Sequence, residues 1–91
     1  MELEFHQLDL RYEPLRVRRA EVERRLLGSL SESGQQVPIV VVAQSDEAGR
    51  YVVIDGYKRV RALRRLGRDT VAAMEWPVSE AEALVADGTN R

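Results

Sequence analysis

Apolar positions along this chain follow two periods, and the change between them marks out its elements. In residues 20–31, Val22, Leu26, Leu27 and Leu30 recur at helical spacing, opposite Glu21, Arg24 and Arg25, and Gly34 follows as a terminator. Pro38-Ile39-Val40-Val41-Val42 is almost uniformly apolar, as in a central strand covered on both faces, and proline is tolerated at its first position. A polar loop, residues 45–50, leads to a second β-branched run, residues 51–54, and the short gap predicts an antiparallel hairpin. Helical spacing returns over residues 57–66, burying Val60, Leu63 and Leu66 and turning Lys58, Arg61, Arg65 and Arg68 to another face, with Gly67 as its stop. Residues 70–74 read as a third strand, closed by Trp76-Pro77. Ser79 with Glu82 forms a capping box for a last helix over residues 80–86. Residues 1–17 read as a short strand and then irregular chain broken by Pro14. The predicted order is β-α-β-β-α-β-α, a small mixed α+β domain occupying residues 1–91 as one unit.

Composition narrows the chemistry. There is no cysteine, which excludes a disulfide scaffold, a thiolate nucleophile and a cysteine zinc site, and fits a cytoplasmic setting. No apolar run reaches membrane-spanning length, so no membrane partner is expected. The net charge of −1 hides clusters of arginine at residues 16–25 and 58–68, a balance that argues against strong nonspecific nucleic-acid binding but allows phosphate to be recruited locally. His6 has no partner in sequence, and no metal-ligand spacing is present.

The chemistry concentrates at Asp55-Gly56-Tyr57-Lys58-Arg59. A strand that ends in glycine at a helix start points several backbone N–H groups, and the positive end of the helix dipole, at one spot. Lys58 and Arg59 lie in the first turn, within reach of an anion held there. Two readings fit this segment: a phosphate site, or an architectural turn in which Asp55 caps the helix and the cations are solvated. A second stretch, Ser33-Gly34-Gln35-Gln36-Val37-Pro38-Ile39, is by itself a helix stop and strand start, and contributes backbone and amide groups to a ligand if it faces the same cleft.

Taken together, the two stretches resemble the N-terminal domain of ParB-type partition proteins, with the ParB/sulfiredoxin-like fold. In that family a helix ends in glycine, a Gln-Pro-Ile strand follows, and a Gly-Glu-Arg-Arg-x-Arg-Ala box sits at a strand-to-helix turn. Here the matching stretches are residues 29–34, Pro38-Ile39-Val40-Val41, and Gly56-Tyr57-Lys58-Arg59-Val60-Arg61-Ala62. Tyr57 replaces the box glutamate, Lys58 an arginine, and Val37 the glutamine before proline, while Gln35 and Gln36 stand upstream. The third family box, which carries Glu-Asn and an arginine, corresponds loosely to residues 86–91, ending in Arg91.

The resemblance implies a regulatory module that binds a nucleotide, CTP with Mg²⁺, and belongs to a DNA-partition or DNA-binding protein. In this reading Gly34, Gln36, Pro38, Asp55, Gly56, Tyr57, Lys58, Arg59, Arg61 and Arg91 line the nucleotide site. Gly56 supplies N–H groups, and Lys58, Arg59 and Arg61 neutralise phosphates. DNA would be read by a helix-turn-helix absent from these residues, and a homodimer is implied. Loss of the box glutamate argues against more than weak triphosphatase turnover. Two alternatives stand beside it. One is a small phosphotransferase or nuclease of the same superfamily, with Glu13, Asp55 or Asp87 as candidate bases; the other is an interaction scaffold whose nucleotide site has decayed. Sulfiredoxin chemistry would need a cysteine at this turn.

Overall fold

The structure, a computed structural model, describes residues 1–15, 19–35 and 37–88. Its strands are β1 (Glu2–Glu4), β2 (Leu8–Asp9), β3 (Ile39–Ala43), β4 (Tyr51–Asp55) and β5 (Thr70–Glu75), and its helices are α1 (Ala20–Ser33), α2 (Tyr57–Arg65) and α3 (Glu80–Gly88). The five strands form one mixed sheet in the order β1-β5-β3-β4-β2. β3 is central, pairing antiparallel with β4 across the hairpin and parallel with β5.

The uniform run of β3 has the expected cause, since both faces of the sheet are covered. Ile39, Val41 and Val53 turn toward α1 and α2, where they join Leu30, Tyr57, Val60 and Leu63. Val42, Val52 and Ile54 turn the other way and pack with Ala83 of α3. Trp76 lies half-buried at the rim of this second cluster. The hairpin register shifts between Val40 and Val41: Val41 pairs with Val53 and Val40 with Asp55, so β4 carries one residue more than β3 over that step. Such a bulge bends a strand locally, and here it stands immediately before the turn into α2.

Three local signals hold as read. Gly67 (φ 73°) ends α2, with the Gly67 N–H donating to Arg64 and the Arg68 N–H to Leu63, the paired bonds of a Schellman cap. Ser79 and Glu82 make both bonds of the capping box, at 3.0 and 3.2 Å. Gly34 (φ 74°) closes α1, its N–H donating to the Leu30 carbonyl at 2.9 Å.

The N-terminal stretch differs from expectation by a strand. β1 and β2 are separate, joined by a 3-10 turn at Phe5–Gln7, and a second turn spans Glu13–Leu15. β1 borders β5 antiparallel while β2 borders β4 parallel, so the chain crosses from one edge of the sheet to the other. Strands of three and two residues are too short to display an alternating pattern, and burial of Leu3 and Leu8 is their one apolar signature.

Candidate functional site

The turn from β4 into α2 is built around Gly56. Its φ of 105° and ψ of 21° lie in left-handed space, and a Cβ built on it would fall 2.6 Å from Ile39 Cγ2, 2.9 Å from Ile39 Cβ and 3.2 Å from Ile39 Cα. Glycine is therefore required twice, by conformation and by close approach. The consequence is spatial: the start of β3 lies directly against the N-terminal end of α2. The two stretches that sequence singled out separately meet at this contact.

Gly56 is the N-cap of α2, and the first helical hydrogen bond runs from the Val60 N–H to the Gly56 carbonyl at 3.1 Å. Asp55 is the last residue of β4 and does not occupy the capping position that the architectural reading gave it. The amides of Lys58 and Arg59 belong to the helix end, where no intrahelical acceptor exists and the dipole favours an anion. Both side chains are half-buried at that turn, and α2 as a whole carries five basic residues and no acidic one.

Tyr57 points inward. Its side chain is 3% exposed within the core beneath α2, and its hydroxyl donates to the Val53 carbonyl at 2.5 Å. Its ring is thus a packing element behind the turn, and only its backbone faces the helix end.

Arg61, grouped by helical spacing with Lys58, Arg65 and Arg68 and by resemblance with the phosphate-binding residues, is already held by two carboxylates. It is 16% exposed, with Nε donating to Glu23 of α1 at 2.9 Å and one terminal nitrogen donating to Glu13. The second terminal nitrogen is buried without a hydrogen-bond partner. Burial opposes its charge, but the bonds to Glu13 and then Glu23 outweigh that, and its pKa is raised. The physical reason is that α1 and the 13–15 turn each place a carboxylate over this face of α2, which no local pattern in α2 announces.

Gly34 and Pro38 flank the start of β3, both half-buried. Gln36 and Arg91, the remaining sequence-predicted site residues, lie outside the described residues. Gln35, passed over in favour of its neighbour, makes three side-chain hydrogen bonds. Its Nε2 donates to the Val37 and Ala72 carbonyls, each at 2.9 Å, and its Oε1 accepts from the Ala72 N–H at 2.7 Å. The one hint in sequence is a side-chain amide directly after a helix-ending glycine. Glu13 and Glu23, the partners of Arg61, carried no signal of that pairing.

Elsewhere the surface offers less. His6 is exposed and bonds Glu4 at 3.0 Å. Among the described residues no group of three or more histidine, aspartate or glutamate side chains is arranged to hold a metal ion, and no helix is long and apolar enough to cross a membrane.

Fold and turn together define a class. The model of the ParB N-terminal domain matches residues 1–89. This chain belongs to the ParB N-terminal domain family. It is 41% identical over 63 residues to the putative replication protein B of Rhizobium rhizogenes, an alignment covering 69% of this chain and 20% of that protein. The structure of C-terminally truncated chromosome-partitioning protein ParB from Caulobacter crescentus with CTP-γ-S superposes at a TM-score of 0.79 and 29% identity, covering 100% of this chain and 53% of that one. The same ParB bound to the centromeric parS site gives 0.72 and 30%, over 92% and 42%. Sulfiredoxin from Arabidopsis thaliana gives 0.77 at 23% identity, over 90% and 89%, a likeness of fold. The chain thus spans a minor part of the replication protein and about half of the partition protein it matches.

Proposed function

We propose that this domain is the CTP-binding regulatory module of a ParB-like partition or replication protein. The observation that carries the reading is the Gly56 turn. A glycine in left-handed space, pressed on Ile39, brings the Gly34–Pro38 side of the fold to a helix end that also bears Lys58 and Arg59. The arrangement supplies backbone donors and two cations to one anion, as a nucleotide phosphate requires. Support comes from the full-length superposition on a ParB chain that holds CTP-γ-S.

Within this reading Gly56 and the amides after it cradle phosphate, Lys58 and Arg59 neutralise it, and Gly34, Gln36, Pro38 and Arg91 border the rest of the nucleotide. Tyr57 supplies its backbone alone. Arg61 braces the turn from behind, since its guanidinium is already engaged by two carboxylates. Mg²⁺ fits as a phosphate-bound ion: it is commonly held by one or two carboxylates plus the substrate's own oxygens, and Asp55 is the carboxylate at the turn. The module acts chiefly by binding, with at most weak triphosphatase turnover: Glu13, one of the candidate bases, is committed to Arg61. The reading also includes a cytoplasmic setting, homodimer formation, and DNA contact through a helix-turn-helix outside residues 1–91.

Thermal unfolding with CTP, ATP, GTP and UTP, with and without Mg²⁺, tests it. A CTP-selective rise in Tm that Arg59→Ala removes is expected, and a ligand at a hundredfold excess over Kd contributes about 2.7 kcal/mol. No rise with any nucleotide would overturn the proposal.

A further inference from the structure

We infer that Gln35 is the positioning residue of the nucleotide site, a role that rests on the CTP-binding reading above. β3 begins at Ile39, and its parallel pairing with β5 starts at Ile39 with Ala73. Ala73 gives its N–H and carbonyl to Met1, on the β1 side. The backbone groups of Ala72 therefore face the β3 side, one step before β3 has begun. The Gln35 amide fills that step. Its Oε1 accepts from the Ala72 N–H at 2.7 Å and its Nε2 donates to the Ala72 carbonyl at 2.9 Å, so both backbone groups of Ala72 are bonded ahead of the strand. The same Nε2 donates to the Val37 carbonyl at 2.9 Å, which ties the approach to β3 onto the sheet.

What this fixes is the approach of Pro38 and Ile39 to Gly56. Gly34 breaks the helix in left-handed space, so α1 alone does not dictate where the chain goes next. The amide clamp supplies that direction, and Ile39 then meets Gly56 with no room for a methyl group between them. Gln35 touches neither cation of the turn. It acts through Val37 and Ile39, by holding one wall of the cleft at the distance the turn requires.

The geometry calls for both a donor and an acceptor, which makes a pH-dependent test available. Gln35→Glu keeps the acceptors and, when ionised, has no donor to offer the two carbonyls; when protonated it regains one O–H. Titration calorimetry with CTP and Mg²⁺, run from about pH 3.5 to pH 8 so as to cross the ordinary glutamate value, compares wild type with Q35E, with Q35M and with V71A. V71A removes core volume from β5 without removing a hydrogen bond of Gln35, and so controls for lost stability. Dividing each variant's Kd by the wild-type value at the same pH cancels the titration of the nucleotide itself. For Q35E the expected ratio is on the order of 10 at pH 8 and falls toward 1 only below the ordinary glutamate value of about 4.3, whereas Q35M stays near 10 throughout and V71A near 1.

A Q35E ratio that is flat with pH, wild-type affinity in Q35M, or a V71A ratio as large as that of Q35M would overturn the positioning role while leaving CTP binding intact. Wild-type protein that binds no CTP at any pH would overturn both.

Discussion

Gly56 and Ile39 are in contact across the junction of two elements, and a single methyl group on the glycine would collide with Cγ2 and Cβ of the isoleucine and press on its Cα. The contact explains why a helix start and a strand start, separated in the chain, form one wall. Ile39 is fully buried and cannot retreat, because its neighbours Val41, Val53 and Val60 are fully buried as well. The β4 bulge one step before Gly56 bends the strand where the chain must turn into the helix.

Gly56→Ala is accordingly expected to destabilise the domain by roughly 2–4 kcal/mol, adding left-handed strain to a steric clash that buried neighbours cannot relieve. Urea unfolding measures it. Adding Ile39→Ala should not restore stability: it removes Cγ2, but the Ile39 Cβ and Cα remain at 2.9 and 3.2 Å from the new methyl group. Full recovery in the double variant would show that the left-handed backbone carries no strain of its own.

The hydroxyl of Tyr57 and the carbonyl of Val53 make a second testable pair. Tyr57→Phe leaves the ring in place and withdraws one buried hydrogen bond, so a loss of about 1 kcal/mol is expected. CTP affinity should stay within twofold of wild type, because the side chain lies behind the turn. A tenfold loss of affinity at unchanged stability would place the hydroxyl in the site.

Much of this fold is legible in the chain because its signals are local. The helical stripe of α1, the uniform β3, the Gly67 stop and the Ser79–Glu82 box each depend on residues a few positions apart, and each is found where the pattern put it. The position of Gly56 was legible for the same reason, as a strand-glycine-helix junction. The partners of Arg61 were not. Its grouping with Lys58, Arg65 and Arg68 followed from helical spacing within α2, which contains no information about what α1 and the 13–15 turn place over it. Gln35 was hidden likewise, since its amide bonds Ala72, far along the chain, and alternation within β3 says nothing of the step before the strand begins. Of the two short edge strands only one was expected, because strands of three and two residues are too short to show alternation.

Arg61 and Arg59 should separate in their effects. Arg61→Met removes the guanidinium that Glu13 and Glu23 share, in a setting between fully buried and fully exposed, and a loss of roughly 1–3 kcal/mol is expected. Arg59→Ala, at the helix end, should cost nucleotide affinity with little change in the unliganded Tm. A double-mutant cycle of Arg61→Met with Glu23→Gln should return a coupling of about 1 kcal/mol. Zero coupling would mean that the Arg61–Glu23 bond adds nothing to the packing of α1 on α2.

The last expectation concerns pH and the outer edge of the sheet. Arg11 pairs with Asp9 at 2.7 Å and with Glu80 at 2.9 Å, joining β2 to the first turn of α3. The hydrogen bond from Arg11 lowers the Asp9 pKa below its ordinary value near 3.8; burial works the other way, and the charge of Arg11 adds to the lowering. A depressed carboxylate stabilises the fold above its unfolded pKa, and that contribution is lost as pH falls through the folded value. Wild type should therefore exceed Asp9→Asn in stability by about 0.5 kcal/mol at neutral pH, the scale of a surface pair, with the gap closing below the ordinary value. Urea midpoints of both proteins, taken between neutral pH and the acid range, measure the gap directly. A difference that stays constant through the acid range would show that the bond geometry, and not the carboxylate charge, holds β2 to α3.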